Sequence, residues 1–266
     1  MRIGETKCKS LINRSRISGV DYAINPYVGC GHGCLYCYAR FTGRWSHGGE
    51  RWGSFVDVKT NAVECVKREA PRRRGVILIS SVTDPYQPIE RERRVTARIL
   101  EALADYDPPL MVLSKSDLVK RDVSLLGRFS QVEVGETITT LDDKVRRVFE
   151  PGAPPSERRI QALEEFSEVG IPTYAFLGPI LPLTTLEAFE ELVDSVAGVV
   201  NRVLLDRLNM RPDVAEPVKR AVRRFFPAKA PEFREAVQRE STYYSRLKIR
   251  AMRVFEERSL EYEILF

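Results

Sequence analysis

Three cysteines in one short segment constrain this chain more than any other feature. Cys30, Cys34 and Cys37 stand in a C-x3-C-x2-C spacing among glycines and tyrosines. Side chains this close in sequence face a single point only where the backbone wraps around it. Gly31 and Gly33 permit such a turn, because glycine adopts positive φ without a steric penalty. Thiolates are preferred ligands of iron–sulfur clusters and of zinc, so the segment predicts a metal or cluster site.

Two metal chemistries fit this spacing. A structural zinc ion takes four ligands, usually cysteine or histidine, and His32 or His47 can complete a Cys3His set. The other chemistry is a cluster held by three thiolates, which leaves one metal position open. The cluster is favoured because a barrel-like α/β pattern follows at once, whereas structural zinc modules are usually small separate units. Zinc stays as the alternative, within a non-catalytic binding or interaction protein.

Composition indicates an ordinary globular chain in a reducing compartment. No stretch approaches about 18 uninterrupted apolar residues and no secretory leader is visible, so we expect a cytoplasmic protein without a membrane span. Five cysteines, three of them clustered, do not indicate a disulfide framework. Cys8 and Cys65 are expected to be small buried hydrophobes. The net charge of +5 is compatible with an anionic partner, and the many arginines favour a thermophile with surface ion pairs.

Apolar strand-like runs alternate with segments of helical periodicity, which predicts repeated βα units and a parallel sheet. Residues 1–20 are polar and are expected to form an irregular arm, and the last sixty residues are expected to be helical. The predicted strands cover residues 55–58, 76–79, 110–113, 131–140, 173–177 and 199–205. The predicted helices cover residues 61–70, 89–103, 117–129, 142–149, 156–169 and 186–196.

The cysteine spacing, with Tyr36 directly before the last cysteine, resembles the signature of the radical S-adenosylmethionine (SAM) superfamily. Four longer segments resemble its spore photoproduct lyase-like subfamily: Asn25-Pro-Tyr, Cys37-Tyr-Ala-Arg40, Val82-Thr-Asp-Pro-Tyr-Gln-Pro88 and Thr137-Ile-Thr-Thr140. The resemblance covers residues 20–200 and implies an α/β fold, a partial (β/α)6 TIM-type barrel. We expect an arm at 1–20, the barrel at 21–207 and a C-terminal helical extension packed on the barrel at 208–266.

The resemblance also implies an enzyme and its chemistry. Cys30, Cys34 and Cys37 would hold a [4Fe–4S] cluster, and SAM would chelate the fourth iron through its amino and carboxylate groups. An electron from a reductant such as ferredoxin or flavodoxin would cleave SAM to a 5′-deoxyadenosyl radical. That radical abstracts a hydrogen atom from a substrate, while the protein orients the cofactors and excludes side reactions.

Further side chains are implied as SAM contacts, mostly at the carboxyl ends of strands, where βα-barrels place function. These residues are Tyr36, Tyr38, Thr83, Asp84, Lys115, Thr137 and Ile180. The Lys115 ammonium suits the SAM carboxylate or ribose, and the Thr137 hydroxyl suits the methionyl or ribose groups. Structural roles compete with this interpretation, because threonine is common in strands and Asp84 can bond the backbone of a tight turn.

One departure from the subfamily concerns the substrate. Spore photoproduct lyases carry a cysteine at the end of the strand before the Thr-Asp turn, and its thiol returns a hydrogen atom to thymine. This chain has Ser80-Ser81 there, and a serine O–H bond is too strong for that role. The substrate therefore stays open between a nucleic acid, as in lesion repair, and a peptide or small molecule. The basic charge and a loop with Trp45 and Trp52 support a nucleic acid, because such rings can stack on bases. Against it, basic residues such as Arg223, Arg224 and Arg250 stand beside many acids, as on a solvated helix face, so a peptide or small molecule is the preferred substrate class.

Overall fold

The computed structural model describes residues 1–43, 47–238 and 240–266. Its strands are β1 (Arg2–Thr6), β2 (Ile12–Arg14), β3 (Tyr22–Ile24), β4 (Tyr27–Gly29), β5 (Phe55–Lys59), β6 (Ile77–Ile79), β7 (Leu110–Ser114), β8 (Val132–Thr137), β9 (Thr173–Ile180), β10 (Arg202–Arg207) and β11 (Glu261–Ile264). Its α-helices are α1 (Ala62–Glu69), α2 (Glu90–Arg93), α3 (Val95–Ala104), α4 (Val123–Leu126), α5 (Asp143–Phe149), α6 (Ser156–Glu168), α7 (Leu186–Ala197), α8 (Pro212–Phe225), α9 (Ala230–Gln238) and α10 (Glu240–Glu257). Short 3-10 helices cover Tyr38–Gly43, Ala70–Arg72, Asp117–Asp122 and Pro227–Lys229.

One large sheet organises the molecule. Its strand order is β11-β10-β9-β8-β7-β6-β3-β2, and every neighbouring pair from β3 to β11 is parallel, while β2 runs antiparallel to β3. Among the described residues no ladder joins β2 to β11, so the sheet is open. The six parallel strands from β3 to β10 confirm the predicted partial (β/α)6 barrel, with β11 as an additional strand.

The two faces of the sheet differ because side chains alternate along each strand. On the outer face, Val112 and Val134 are completely buried against a core that includes Phe166 of α6. On the inner face, Gly135 has no side chain, and a Cβ there would overlap the ring of Tyr174. The Tyr174 hydroxyl passes beneath β8 and donates to the Val112 carbonyl of β7 at 3.1 Å. This ring forms a floor across the central strands.

A partly exposed ion pair extends the floor at the amino-terminal ends of the strands. The Arg202 guanidinium stacks on Tyr174, with its central carbon 5.2 Å from the ring centroid. It also donates to both carboxylate oxygens of Glu133, at 2.6 and 2.7 Å. Such bidentate pairs fix geometry as well as charge, so the floor is rigid.

Several elements differ from the sequence prediction. Residues 1–20 are not an irregular arm, because β1 pairs with β5 and β2 pairs with β3. The C-terminal region is helical as predicted, but β11 returns to the barrel sheet beside β10. The predicted helix over 89–103 is interrupted at Arg94, whose φ of 50° breaks the helical path. The predicted helix over 117–129 is a 3-10 segment followed by the short α4.

Other boundaries follow the chemistry of the helix ends. Asp142 accepts the backbone N–H groups of Lys144 and Val145 at the start of α5, and Thr185 accepts that of Ala188 at the start of α7. Both residue types are favoured N-caps. No described helix is long and apolar enough to cross a membrane.

Candidate active site

The cysteine loop forms two consecutive turns. The Gly33 N–H donates to the Cys30 carbonyl, and the Cys37 N–H donates to the Cys34 carbonyl, both at 3.2 Å. Gly33 has a φ of 61°, which a side chain would strain, and a Cβ there would lie 3.3 Å from the Gly53 Cα. The prediction that glycine permits the wrap is therefore met at Gly33.

The three thiols are enclosed and close enough to affect one another. Burial raises the pKa of the Cys30 thiol, and the neighbouring Asp84, Cys34 and Cys37 raise it further. Burial also raises the pKa of Cys34 to about 12, although the Lys115 ammonium opposes the rise. Free thiols in this setting are protonated, so a metal or cluster must displace their protons on binding. Three enclosed thiols with a cation beside them are a donor set that fits an iron–sulfur cluster.

The start of the loop is held by the segment that follows β6. The Thr83 hydroxyl donates to the Gly29 carbonyl at 2.6 Å, and the Gln87 amide donates to Thr83 at 3.0 Å. The Gln87 side-chain oxygen accepts the Gly31 N–H at 2.7 Å. Thr83 and Gln87 therefore fix the backbone on both sides of Cys30.

Asp84 links the loop to the next strand. One carboxylate oxygen accepts the Lys115 N–H at 2.7 Å, and the other accepts the Ser114 hydroxyl at 2.9 Å. The His32 Nε2 atom lies 3.4 Å from the same carboxylate. Burial acts to raise the pKa of Asp84, but His32 and the backbone amides of Tyr86 and Lys115 hold it below its usual value. Asp84 is thus an ionised buried group that positions Lys115.

The end of the loop is held by a buried ion pair. The Tyr36 hydroxyl donates to Glu150, which also accepts the Thr139 hydroxyl at 2.8 Å. The Arg159 guanidinium donates to the other Glu150 oxygen at 2.6 Å, and both charged side chains are at most 1% exposed. Burial acts to raise the pKa of Glu150, but Arg159 and Lys115 lower it to about 2.

Lys115 connects these parts electrostatically. Its Nζ atom lies 5.7 Å from the centroid of the Tyr36 ring, and its side chain is half-buried. Its charge acts on the thiols of Cys34 and Cys37 and on Glu150. Within the described ranges, the Tyr36 ring is the one partner found for this ammonium. The structure therefore brings Lys115, Tyr36 and Asp84 together with the cysteine loop.

The remaining residues predicted to contact SAM lie in different settings. Tyr38 is 45% exposed and its hydroxyl donates to the Ser81 carbonyl. Thr137 ends β8 and is 2% exposed, while its neighbour Thr139 makes the contact with Tyr36. Ile180 is completely buried in the core beside α10, and its carbonyl accepts the Tyr244 hydroxyl at 2.9 Å. The structure thus gives Ile180 no exposed surface for a ligand.

Ser80 and Ser81 lie after β6, as the sequence suggested. The Asn25 side-chain oxygen accepts the Ser80 hydroxyl at 2.6 Å and the Ser81 N–H at 3.0 Å. The Asn25 amide in turn donates to the Ser81 hydroxyl at 3.2 Å. Both hydroxyls are thereby tied to Asn25 beside the cysteine loop.

The two histidines considered as a fourth zinc ligand are committed elsewhere. The His32 Nδ1 atom bonds the Gly152 carbonyl at 2.9 Å, and its other ring nitrogen faces Asp84. The His47 ring nitrogens contact Glu50 at 3.0 Å and Asp57 at 2.7 Å. In the part of the chain that the structure describes, no three His, Cys, Asp or Glu side chains are spaced for a single metal ion. Both His47 ring nitrogens are occupied, and the His32 Nε2 atom faces Asp84 without a hydrogen bond, so neither histidine completes a Cys3His zinc site.

The proposed stacking role of two tryptophans is wrong for one of them. Trp52 is 7% exposed and packs edge-on against Phe55, with 6.1 Å between ring centroids. Its ring is part of the small core under the loop and is unavailable to a base. Trp45 lies outside the described residues.

Three residues that hold the cysteine loop were missed from the sequence: Gln87, Glu150 and Arg159. Gln87 stood in a recognised segment, but nothing marked its side chain as a partner of the cysteine loop. Glu150 follows α5 directly before Pro151, where an acidic residue passes for an ordinary helix end. The contact of Glu150 with Tyr36 joins residues far apart in sequence, so no local pattern indicates it.

A separate cavity lies away from the cysteine loop. This cavity of about 840 Å3 opens at the amino-terminal ends of β7 to β9 and is lined by Met111, Phe129, Glu133 and Ile171 among others. It contains none of the cysteines. The candidate active site lies at the carboxyl ends of the strands, where the loops after β6, β7 and β8 meet the cysteine loop.

Sequence comparison identifies the family of this chain. The radical SAM superfamily model matches residues 24–196. An uncharacterized protein of Methanocaldococcus jannaschii is 36% identical over 91% of this chain and 89% of its own length. A Pseudomonas phage M6 protein named radical SAM Nalpha-GlyT isomerase is 28% identical over 66% of this chain and 37% of its own length.

Solved structures show the same fold at low identity. A spore photoproduct lyase variant has a TM-score of 0.66 and 15% identity, covering 99% of this chain and 81% of that one. Streptococcus suis SuiB bound to the precursor peptide SuiA has a TM-score of 0.61 and 16% identity, covering 92% and 48%. The family match and the cysteine loop agree: the chain belongs to the radical SAM superfamily and is a radical SAM enzyme.

Proposed function

We propose that Cys30, Cys34 and Cys37 hold a [4Fe–4S] cluster and that Lys115 binds the SAM carboxylate beside it. One observation carries this proposal. The half-buried Lys115 ammonium acts electrostatically on the thiols of Cys34 and Cys37, and in the described part of the chain its partner is an aromatic ring rather than a carboxylate. A cation in that position is available to an anionic group brought by a ligand.

When bound, the cluster and SAM supply the electron transfer and the 5′-deoxyadenosyl radical that start hydrogen-atom abstraction. The chain's own residues position these groups. Asp84 fixes the backbone of Lys115, Thr83 and Gln87 fix the start of the loop, and Tyr36 with Glu150 fixes its end. Tyr38 and Thr137 are proposed on the ribose and methionyl side of SAM. Ile180 is proposed as a more distant support, since its side chain is enclosed.

The substrate class is a second part of the proposal. A nucleic acid is favoured, because one structural neighbour is a spore photoproduct lyase with a dinucleoside spore photoproduct. The net charge of +5 supports an anionic partner. SuiB with its peptide supports a peptide substrate as the alternative. We further propose a reductant such as ferredoxin or flavodoxin and a reducing, cytoplasmic setting, and the exposed arginine ion pairs fit a thermophile.

The cluster and the SAM reaction are tested together by cysteine replacement. Anaerobically purified protein should be brown, contain about four irons per chain, and release 5′-deoxyadenosine from SAM with dithionite. Cys34→Ala should lose colour, iron and product. Cys8→Ser, which removes a cysteine outside the loop, should keep all three. A colourless protein that holds one zinc and leaves SAM intact contradicts the proposal.

Lys115 is tested by SAM affinity. Lys115→Met should keep the cluster and weaken SAM binding by roughly tenfold or more, because a charge-assisted contact is lost. The matched control is Lys120→Met, whose ammonium pairs with Glu165 on the surface. Equal SAM affinity in both variants contradicts the assignment of Lys115.

The nucleic-acid substrate is tested by binding at several salt concentrations. Affinity for a thymidine-containing oligonucleotide should fall steeply with salt, because phosphate contacts release counterions. Absent or salt-independent binding removes this substrate class and leaves a peptide or small molecule.

A further inference from the structure

Two thiols outside the cysteine loop face each other between the N-terminal segment and α1. Cys8 follows β1, Cys65 lies within α1, and their Sγ atoms are 3.7 Å apart. A disulfide bond is about 2.05 Å long, so roughly 1.7 Å separates this pair from bonding distance. Cys65 is completely buried, as its sequence suggested, whereas Cys8 is partly exposed.

The surroundings hold the two thiols in register. The Asn61 side chain accepts the Cys8 N–H and donates to the Cys8 carbonyl, both at 2.9 Å. The Asn61 carbonyl accepts the Cys65 N–H at 3.1 Å. One asparagine thus fixes the backbone of both cysteines, and the sulfurs meet because of it.

The charges and the burial around the pair act in opposite directions. Burial and the neighbouring Cys65 raise the pKa of the Cys8 thiol to about 11, and the charge of Lys59 opposes that rise. The Arg68 guanidinium donates to the Cys65 sulfur at 3.3 Å, and the charge of Lys59 acts on both cysteines. Cations beside a sulfur stabilise the thiolate, which is the reacting form in thiol–disulfide exchange. The pair therefore has proximity, a fixed backbone and an electropositive neighbour.

We propose that Cys8 and Cys65 form a reversible disulfide site. The partly exposed Cys8 thiolate attacks one sulfur of an external disulfide, which releases one thiol and leaves a mixed disulfide. The Cys65 thiolate then attacks the Cys8 sulfur, forms the internal bond and releases the second thiol. The two cysteines lose two protons and two electrons, and the external disulfide is reduced to two thiols.

The bond would close a loop that contains the whole cluster-binding segment. Residues 8–65 include β2 to β5 and all three cysteines of the cysteine loop. A cross-link over a loop of this length restricts the unfolded chain, so the oxidised protein is expected to unfold at a higher temperature. The site is independent of the SAM reaction, since neither sulfur belongs to the cluster ligands.

The test uses the full-length, anaerobically purified protein treated with oxidised glutathione. Free thiols are then blocked and peptides are mapped by mass spectrometry. We expect a peptide pair joined through Cys8 and Cys65, a melting temperature raised by roughly 5 °C, and reversal by a reductant.

Cys65→Ser and Cys8→Ser should each lose both the joined peptide and the temperature shift. Cys8→Ser changes a partly exposed position and keeps the test readable if Cys65→Ser fails to fold. Glutathione that stays attached to Cys8, a bond from Cys8 to Cys30, Cys34 or Cys37, or two unreacted thiols overturns the proposal.

Discussion

Glu150 and Glu136 are both fully buried near the cysteine loop, yet they have opposite surroundings. Glu150 accepts hydrogen bonds from Tyr36, Thr139 and Arg159. Glu136 on β8 has no hydrogen-bond partner for either oxygen among the described residues. Arg159 lowers the pKa of Glu150 to about 2, against the effect of burial, whereas burial and Asp84 raise that of Glu136.

The difference shows that burial does not by itself decide what a carboxyl group contributes. A paired carboxylate can hold two distant segments together, as Glu150 holds the end of the cysteine loop to α6. An unpaired carboxyl avoids the cost of a buried charge by keeping its proton. Burial therefore favours the protonated form of Glu136, whereas its partners keep Glu150 charged.

The largest effect is expected for Glu150→Gln. The variant leaves the Arg159 charge buried without a counter-ion, which typically costs about 3–5 kcal/mol. Denaturant unfolding of the parent and the variant at pH 7 measures the loss. A loss below about 1 kcal/mol would show that the ion pair contributes no more than one neutral hydrogen bond.

The stability of the parent protein should also depend on pH through Glu150. Because the pKa of Glu150 is lowered from 4.5 in the unfolded chain to about 2 in the folded protein, its stabilisation is present above pH 4.5. It is lost as the pH falls through about 2, and amounts to roughly 3 kcal/mol. Subtracting the Glu150→Gln profile from that of the parent isolates this contribution, and a flat difference from pH 5 to pH 2 contradicts it.

A smaller effect is expected for Tyr36→Phe. The variant removes one of three donors to Glu150 while Arg159 and Thr139 remain, so the loss should be about 1–2 kcal/mol. Tyr106→Phe is the matched control, since its hydroxyl makes a single long contact of 3.4 Å at the surface. Equal losses of stability in the two variants would show that the Tyr36 hydroxyl contributes nothing to holding Glu150.

The smallest effect is expected for Glu136→Gln. At pH 4 the Glu136 carboxyl is protonated, and glutamine has nearly the same size and no charge. The free energy of unfolding at pH 4 should therefore change by less than about 1 kcal/mol. At pH 7 the Glu136→Gln variant should be at least as stable as the parent. The pKa of Glu136 is raised in the folded protein, so this carboxyl lowers the stability of the parent at any pH above the pKa that it has in the unfolded chain. Unfolding at the two pH values decides this, and a large loss at pH 7 would reveal a hidden partner.

The sequence predicts what local patterns encode. The cysteine spacing and the apolar runs of β6, β7 and β9 depend on neighbouring residues, so the loop and five of the six parallel barrel strands were predicted. The sixth, β3, was missed, and the predicted strand at 55–58 is β5, which lies in a separate sheet with β1 and β4. β11 was missed because its four residues, Glu261–Ile264, alternate polar and apolar without a buried run. The contacts of Glu150 and Gln87 join segments that only the fold brings together, and no spacing rule reports them.

The Tyr174 floor has a consequence for how a polymer could be handled. Tyr174 and the Arg202–Glu133 pair occupy the space beneath β7 to β9, so a long chain has no passage past these strands from below. Among the described residues, the carboxyl ends of the strands and the open edge of the sheet are the more direct approaches to the cysteine loop. A nucleic acid or peptide would then have to insert a chain end, or one nucleotide or amino acid turned out of the polymer, while the rest of the polymer stays outside the barrel.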